Sequence, residues 1–244
     1  MPREFVDSLN PESELHLSTC LHTANQLGFS EIWISNPTKA EKVIINNPPF
    51  FTLIKSYMRL DLGLDHKTRE EMISILRHKR RLFPIIAITC IDPEIAAWAA
   101  QDNRVDILKF PIFQLGHLMT RSIAKLMIKF NKFLEIPLSE LYSLPEHQQI
   151  PALRQIRSAL EIASLKKIPI LFTSGSSRAN QMRSPRDLAA LGQILLSDSG
   201  LSLDSLSIIP QRLIQKNLFK ISPNYIAPGV FKSPTRPEIK EEEE

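Results

Sequence analysis

Leu82-Phe83-Pro84-Ile85-Ile86-Ala87-Ile88-Thr89-Cys90-Ile91-Asp92-Pro93-Glu94-Ile95-Ala96-Ala97-Trp98 is the stretch from which the fold is read. Its first half, Pro84 to Cys90, is almost unbrokenly apolar and β-branched. A strand of that kind is covered on both faces, as in a parallel sheet. Asp92-Pro93 then opens a helix, with Asp as the N-cap and Pro in the first turn. Strand followed at once by helix is the unit of an α/β protein.

The same unit recurs in both directions. Upstream, Phe5-Val6 is a short strand, and a helical pattern runs from Glu12 to Leu27 with Gly28 as its C-cap. Glu31 to Ile34 and Ile54 to Leu62 are strands. Thr68 to Leu82 is an amphipathic helix whose inner face is Met72, Ile73, Ile75 and Leu76. Downstream, Val105 to Phe110 is a strand, Leu118 to Lys132 a helix and Leu134 to Ile136 a weak strand. Pro151 to Lys166 is a helix, Ile168 to Thr173 a strand, and Ser184 to Leu196 a helix. Leu203 to Ile209 reads as a last strand, and Gln211 to Asn217 as a closing turn or two of helix. Seven or eight strands separated by helices in 244 residues suit a single-domain (β/α) TIM-like barrel over residues 1–232. A doubly wound open sheet is the alternative. Residues 233–244 read as a flexible acidic tail.

Composition excludes several classes. The chain is 43% hydrophobic and 23% charged, as a globular protein is. No apolar run approaches the ~20 residues of a membrane span, and Met1-Pro2-Arg3-Glu4 opens no signal peptide. Two cysteines, Cys20 and Cys90, fit a reducing, cytoplasmic setting. The seven glycines are all at least eight residues apart. Phosphate-binding loops and dinucleotide fingerprints need them two to five apart, so both are excluded. The last seven residues carry −4, so the body carries +8 to leave the net +4. A basic body suggests a polyanionic partner.

The candidate sites follow from local pattern. His16, His22, His66, His78, His117 and His147 contain no pair two to four apart, and so no local metal chelate. The strand ends offer Asp7, Ser35, Asp61 and Thr173 as scattered ligands. Thr173-Ser174-Gly175-Ser176-Ser177 follows a buried strand but has no nucleophile-elbow pattern. In Ser184-Pro185-Arg186-Asp187, helix initiation explains Ser, Pro and Asp as a capping box. It does not explain why Arg178, Arg183 and Arg186 cluster at that helix end, where anions are favoured. Arg77-His78-Lys79-Arg80-Arg81 places more bases at a helix C-terminus than the helix dipole calls for. Arg121, Lys125, Lys129 and Lys132 form a basic stripe opposite Ile123, Met127 and Phe130. No aromatics interleave with it, so stacking on single-stranded bases is not indicated.

Met182-Arg183-Ser184-Pro185-Arg186-Asp187-Leu188-Ala189-Ala190-Leu191-Gly192 resembles the thirty-kilodalton protein subunit of ribonuclease P, component 3 in archaea. Weaker matches lie in the same order along residues 4 to 232. They are Phe5-Val6-Asp7, Ala24 to Phe29, Arg104 to Leu108, Arg157 to Glu161, Ile170 to Ser176 and Ser222 to Val230. Thr173 and Ser176 stand where the family often has Ser and Ala, and Ile45 to Lys55 does not align.

The resemblance implies a (β/α) barrel related to metal-dependent phosphoesterases of the polymerase/histidinol-phosphatase type. It implies a protein subunit of the ribonucleoprotein that cleaves precursor tRNA at its 5′ end, with the chemistry carried by the RNA. Its partners would be the ribonuclease P RNA, a small RNA-recognition-like subunit and the other ribonuclease P proteins, with precursor tRNA met indirectly and no membrane. No cofactor is expected on this chain; Mg belongs at the RNA active site. The superfamily's His-x-His after the first strand is here Asp7-Ser8-Leu9. Arg77, Lys79, Arg80, Arg81, Arg178, Arg183 and Arg186 are the expected phosphate contacts. Ser174, Gly175, Ser184, Pro185, Asp187 and Gly192 are the expected structural motif. A metal-dependent phosphoesterase with scattered ligands, or a protein-binding scaffold without RNA contact, are the alternatives.

Overall fold

The computed structural model describes residues 3–46, 53–63, 68–222, 225–227 and 230–231. The acidic tail, Pro48-Pro49, His66 and part of the closing segment (Pro223, Asn224, Pro228, Gly229) lie outside them.

Seven parallel strands stand in sequence order: β1 (Val6–Leu9), β2 (Glu31–Ser35), β3 (Lys55–Leu62), β4 (Ile85–Thr89), β5 (Ile107–Lys109), β6 (Phe133–Pro137) and β7 (Ile170–Thr173). The ring closes between β7 and β1. There Leu9 bridges Ser176, Gly175 N–H donates to Ser8 O (3.0 Å) and Asn10 N–H donates to Ser176 O (2.9 Å). The described strands therefore form a nearly closed (β/α) barrel, not the open-sheet alternative.

The crossovers are α1 (Glu14–Leu27), α2 (Lys39–Asn46), α3 (Arg69–Lys79), α4 (Pro93–Gln101), α5 (Leu115–Leu118), α6 (Arg121–Lys129), α7 (Leu138–Tyr142) and α8 (Glu146–Leu165). After β7 come α9 (Pro185–Leu196), α10 (Ser199–Asp204) and α11 (Ile208–Ile221), then the hairpin β8 (Tyr225–Ala227) and β9 (Val230–Phe231). Capping chemistry sets most starts. Thr68 and Glu71 form a capping box on α3, Asp92 accepts from Ile95 N–H (2.8 Å), and Gly28 (φ +89°) ends α1.

Three expected elements change. Leu203 to Ile209 is not a strand but the end of α10 and the entry to α11. Its Leu/Ser alternation imitates a period of two. Leu203, Leu206 and Ile209 also recur every third residue, and that period prevails. Ser205 and Ser207 hydroxyls donate to the carbonyls of Leu201 (2.8 Å) and Leu203 (2.6 Å), bonds available only in helical turns. Leu206 O accepts from Val6 N–H, at the edge of β1.

The helix expected over Leu118 to Lys132 is broken at Thr120, whose hydroxyl caps α6 by accepting from Ile123 N–H (3.3 Å). Lys132 leaves the basic stripe: it is buried, and its ammonium donates to the carbonyls of Asp102 and Val105 (2.6 Å each). The helix expected from Pro151 begins five residues earlier, with Pro151 inside α8.

The core has two compartments. Outward strand residues such as Ile34, Leu60, Ile88 and Phe172 pack against the helices. Inside the ring, Val6, Trp33, Ile85, Ala87, Ile107, Phe133 and Leu171 fill the N-terminal half, closed by Leu213 and Ile214 of α11.

Candidate functional site

Strand alternation carries the interior upward to the C-terminal mouth, where TIM barrels place their chemistry. Two residues above Val6, Trp33, Tyr57, Ile107, Phe133 and Leu171 stand Ser8, Ser35, Arg59, Lys109, Glu135 and Thr173. Asp61 stands two above Arg59. Hence the inward row turns from apolar to polar on most strands at once.

Arg59, fully buried, is the hub. Its Nη1 donates to Glu135 Oε1 and to Ser8 Oγ (2.9 Å each), its Nη2 pairs with Glu135 Oε2, and its Nε donates to Asp61 Oδ1 (2.6 Å). Thr173 donates to Glu135 (2.8 Å), Ser35 donates to Asp61 (3.0 Å), and Lys109 lies 3.6 Å from Asp61. Burial alone would push Asp61 up, but the charges of Arg59 and Lys109 overcome it and hold the carboxyl below its ordinary range. Arg59 is held above its own range; burial opposes this, and Asp61 and Glu135 outweigh it. The strand-end groups Asp61, Ser35 and Thr173 are thus spent on a guanidinium and its neighbours. Among the described residues, no group of three or more His, Cys, Asp or Glu is placed to hold a metal.

Arg59, Glu135 and Lys109 were not singled out by sequence reasoning. The signal was there: a charge between apolar neighbours in a buried strand (Met58-Arg59-Leu60, Leu134-Glu135-Ile136).

Asp7, on the outward side of β1, holds the seam. Its Oδ1 accepts from Ser8 N–H (2.8 Å) and Ser174 N–H (2.6 Å), while Oδ2 has no partner. Burial pushes its pKa up to about 6 against the opposing pull of these hydrogen bonds. With the folded value above the unfolded one, the favourable term is complete below pH ~4 and is lost as pH rises through 6. Asp7→Asn keeps both bonds and cannot ionise. Relative to the wild type it should gain roughly 2–3 kcal/mol between pH 4 and pH 8, read as the change in the stability difference across urea melts. A pH-independent difference would refute the assignment.

The motif residues occupy tight places. Gly175 (φ +63°) passes over Pro137, whose Cβ lies 2.9 Å from where a side chain would start. Ser174 Oγ accepts from Ser176 N–H (3.2 Å). Ser184 and Asp187 form the capping box of α9, with Pro185 buried in its first turn.

The basic candidates divide between opposite ends of the barrel. Arg178, Arg183 and Arg186 sit near the α9 N-terminus, beyond the end of β7. There Arg178 is paired with Glu12 (2.7 Å). The Arg183 guanidinium lies 5.5 Å from the Tyr142 ring centre and donates to Met182 O (2.9 Å) and Asn180 O (3.1 Å). Arg186 is exposed. Arg77, Lys79, Arg80 and Arg81 lie around the C-terminus of α3, at the N-terminal end of β4. Of these, Arg80 makes a two-pronged pair with Asp106 (2.9 and 3.2 Å), and the other three are exposed.

A parallel (β/α) barrel whose C-terminal mouth holds a buried arginine paired with two carboxylates is the class of protein that fold and site define. The family described as RNase P subunit p30 matches residues 4–220. The chain belongs to that family. It is 21% identical to ribonuclease P protein component 3 of Methanosarcina acetivorans over 229 residues, 93% of each chain. With the component 3 of Methanosarcina mazei it is 26% identical over 132 residues, 54% of each. Its fold matches a chain in a cryo-EM structure of archaeal ribonuclease P with mature tRNA, at TM-score 0.75 and 17% identity, covering 98% of this chain and all of the other. A putative prolidase from Bifidobacterium longum shares the fold more loosely, at TM-score 0.62 and 9% identity over 88% of this chain and 70% of that one.

Proposed function

We infer that this chain is a protein subunit of ribonuclease P, the ribonucleoprotein that removes the 5′ leader of precursor tRNA. The observation that carries this reading is the family match across residues 4–220. The RNA performs the cleavage with its own Mg, and this chain supports it, together with a small RNA-recognition-like subunit and other ribonuclease P proteins. Two features support a supporting role. The mouth carboxylates Asp61 and Glu135 already compensate Arg59. Outside, Arg183 and Arg186 are exposed cations beside the start of α9, suited to a polyanion.

The test is reconstitution with the cognate RNA and the other subunits, assaying 5′ cleavage of precursor tRNA at limiting magnesium. Omitting this chain should abolish or sharply reduce activity. Indifference to the omission would sink the reading. Arg183→Ala with Arg186→Ala should make the salt dependence of RNA binding shallower by about 1.8 in log–log slope on duplex, or about 1.4 on single strands. An unchanged slope, with assembly intact, would remove the α9 end from the RNA contact.

A further inference from the structure

The N-terminal end of the barrel carries cations that neither the barrel interior nor the α9 end uses. α11 lies across this end: it seats Leu213 and Ile214 among the inward apolar residues, and Gln211 donates to Glu4 O (3.1 Å) just ahead of β1. Arg212, Lys216 and Lys220 follow at four-residue steps, so they form one stripe about 12 Å long. Arg212 and Lys216 are exposed and Lys220 is half-buried. No ion pair reaches the three among the described residues.

Their surroundings are cationic. Lys220 is held below its ordinary range first by burial and then by Lys216; Arg80 adds to the effect and Asp106 opposes it. Asp106 is itself already bound by Arg80. Arg77 and Arg81 stand exposed beside Arg80, at the same end of the barrel. Like charges four apart on a helix destabilise it. The helix dipole accounts for Lys220 in the last turn of α11 but not for Arg212 and Lys216. The mouth is the contrast, since Arg59 and Lys109 there face Asp61 and Glu135. A protein partner would want an apolar centre to such a patch. Phe219 packs edge-on against Tyr225 with ring centres 6.1 Å apart yet stays half exposed, and Arg212 borders an apolar pocket with Phe133, Ile168 and Ile209, so a protein-facing surface is the outcome the test must separate.

We propose that the α11 stripe Arg212–Lys216–Lys220, with Arg77 and Arg81, is a phosphate-backbone contact for RNA at the N-terminal end of the barrel, opposite the α9 end. The proposal rests on the ribonuclease P reading above. It makes the subunit a two-ended clamp whose sequence-independent grip reaches two separate stretches of RNA backbone.

Arg212→Gln with Lys216→Gln tests it, since both side chains are exposed and the variant should keep its melting temperature. The full-length chain is titrated onto the cognate ribonuclease P RNA across a salt series, and the same preparations are assayed in the reconstituted holoenzyme. The log–log salt slope should become shallower by about 1.8 on duplex, or about 1.4 on single strands. Arg121→Gln with Lys125→Gln, two exposed bases on α6, should leave it unchanged. An unchanged slope in the α11 variant overturns the proposal while leaving the subunit reading intact. An equal loss in the α6 control also overturns it, by making the effect one of net charge. Unchanged RNA binding with loss of a protein subunit from the assembly would make the stripe a protein-facing surface instead. If omitting the wild-type chain leaves cleavage unchanged, the subunit reading itself fails.

Discussion

Arg59→Met is expected to be the most damaging single substitution in the barrel, lowering stability by about 3–5 kcal/mol. At 2–4 °C per kcal/mol for a domain of this size, the melting temperature should fall on the order of 10 °C. The loss does not measure the strength of the ion pair. It arises because Met leaves Glu135 with the Thr173 hydroxyl as its remaining donor, at 1% exposure. Asp61 keeps Ser35 and the more distant Lys109. A carboxylate so stranded relieves itself by taking up a proton. The deficit should therefore be greater at pH 8 than at pH 5, since a carboxyl whose folded pKa is raised loses stability as pH rises through that value. Arg59→Lys restores the charge but not the fork that reaches Ser8, Asp61 and Glu135 together, and should fall between. Adding Glu135→Leu to Arg59→Met should recover part of the loss, because it removes the stranded charge. Chemical denaturation of the four proteins at the two pH values decides the matter. A loss below about 1 kcal/mol for Arg59→Met, or a deficit independent of pH, would show that the mouth is wet and the cluster incidental.

This cluster was also the part of the molecule least legible in the sequence. What could be read from residues 1–244 was set by near neighbours. Ser184 and Asp187, Thr68 and Glu71, and Asp92 and Ile95 are each three residues apart, and each pair fixed a helix start where the pattern placed it. Apolar runs such as Ile85 to Thr89 are long enough to announce a strand covered on both sides, and their alternation with helices gives the parallel barrel. Arg59 and Glu135 are 76 positions apart, and Arg178 and Glu12 are 166. Nothing local announces those partners. The same distance effect divides the basic candidates: Arg80 and Arg178 read as free charge but are matched by acids from elsewhere in the fold, whereas Arg186 is exposed. Where the reading failed locally, two periods competed. Leu203 to Ile209 satisfies both a two-residue and a three-residue repeat, and its serine hydroxyls closed helical turns. The polar strand ends Ser35, Asp61 and Thr173 were visible as candidate ligands. Asp61 is instead bound to the buried Arg59 two positions earlier on β3, Ser35 donates to Asp61, and Thr173 donates to Glu135.

Gly192→Val is the second large effect expected, about 3 kcal/mol or more. Gly192 lies in the interior of α9, where glycine sacrifices about 1 kcal/mol of helix propensity relative to alanine. A side chain there would start 2.4 Å from Ser202 Oγ and 2.7 Å from Phe172 Cε2. Neither neighbour can swing aside cheaply. The Ser202 hydroxyl is buried and donates to Ala189 O (2.6 Å), and Phe172 is 1% exposed on β7. The helix as a whole must therefore move off β7 and α10. Alanine separates the two opposing effects, since it regains the propensity but still meets both atoms. Gly192→Ala should be net destabilising by about 1–2 kcal/mol. Ser202→Ala, combined with it, should return part of that loss by removing the nearer atom. A Gly192→Ala variant more stable than the wild type would mean that propensity wins and that α9 does not pack as closely as the glycine allows. The consequence reaches the end proposed to contact RNA, because Arg186 lies in the first turn of the same helix and Arg183 just ahead of its N-cap Ser184. Below its melting temperature, Gly192→Ala should weaken RNA binding with little change in the salt slope, because the proposed phosphate contacts are displaced together and none is deleted.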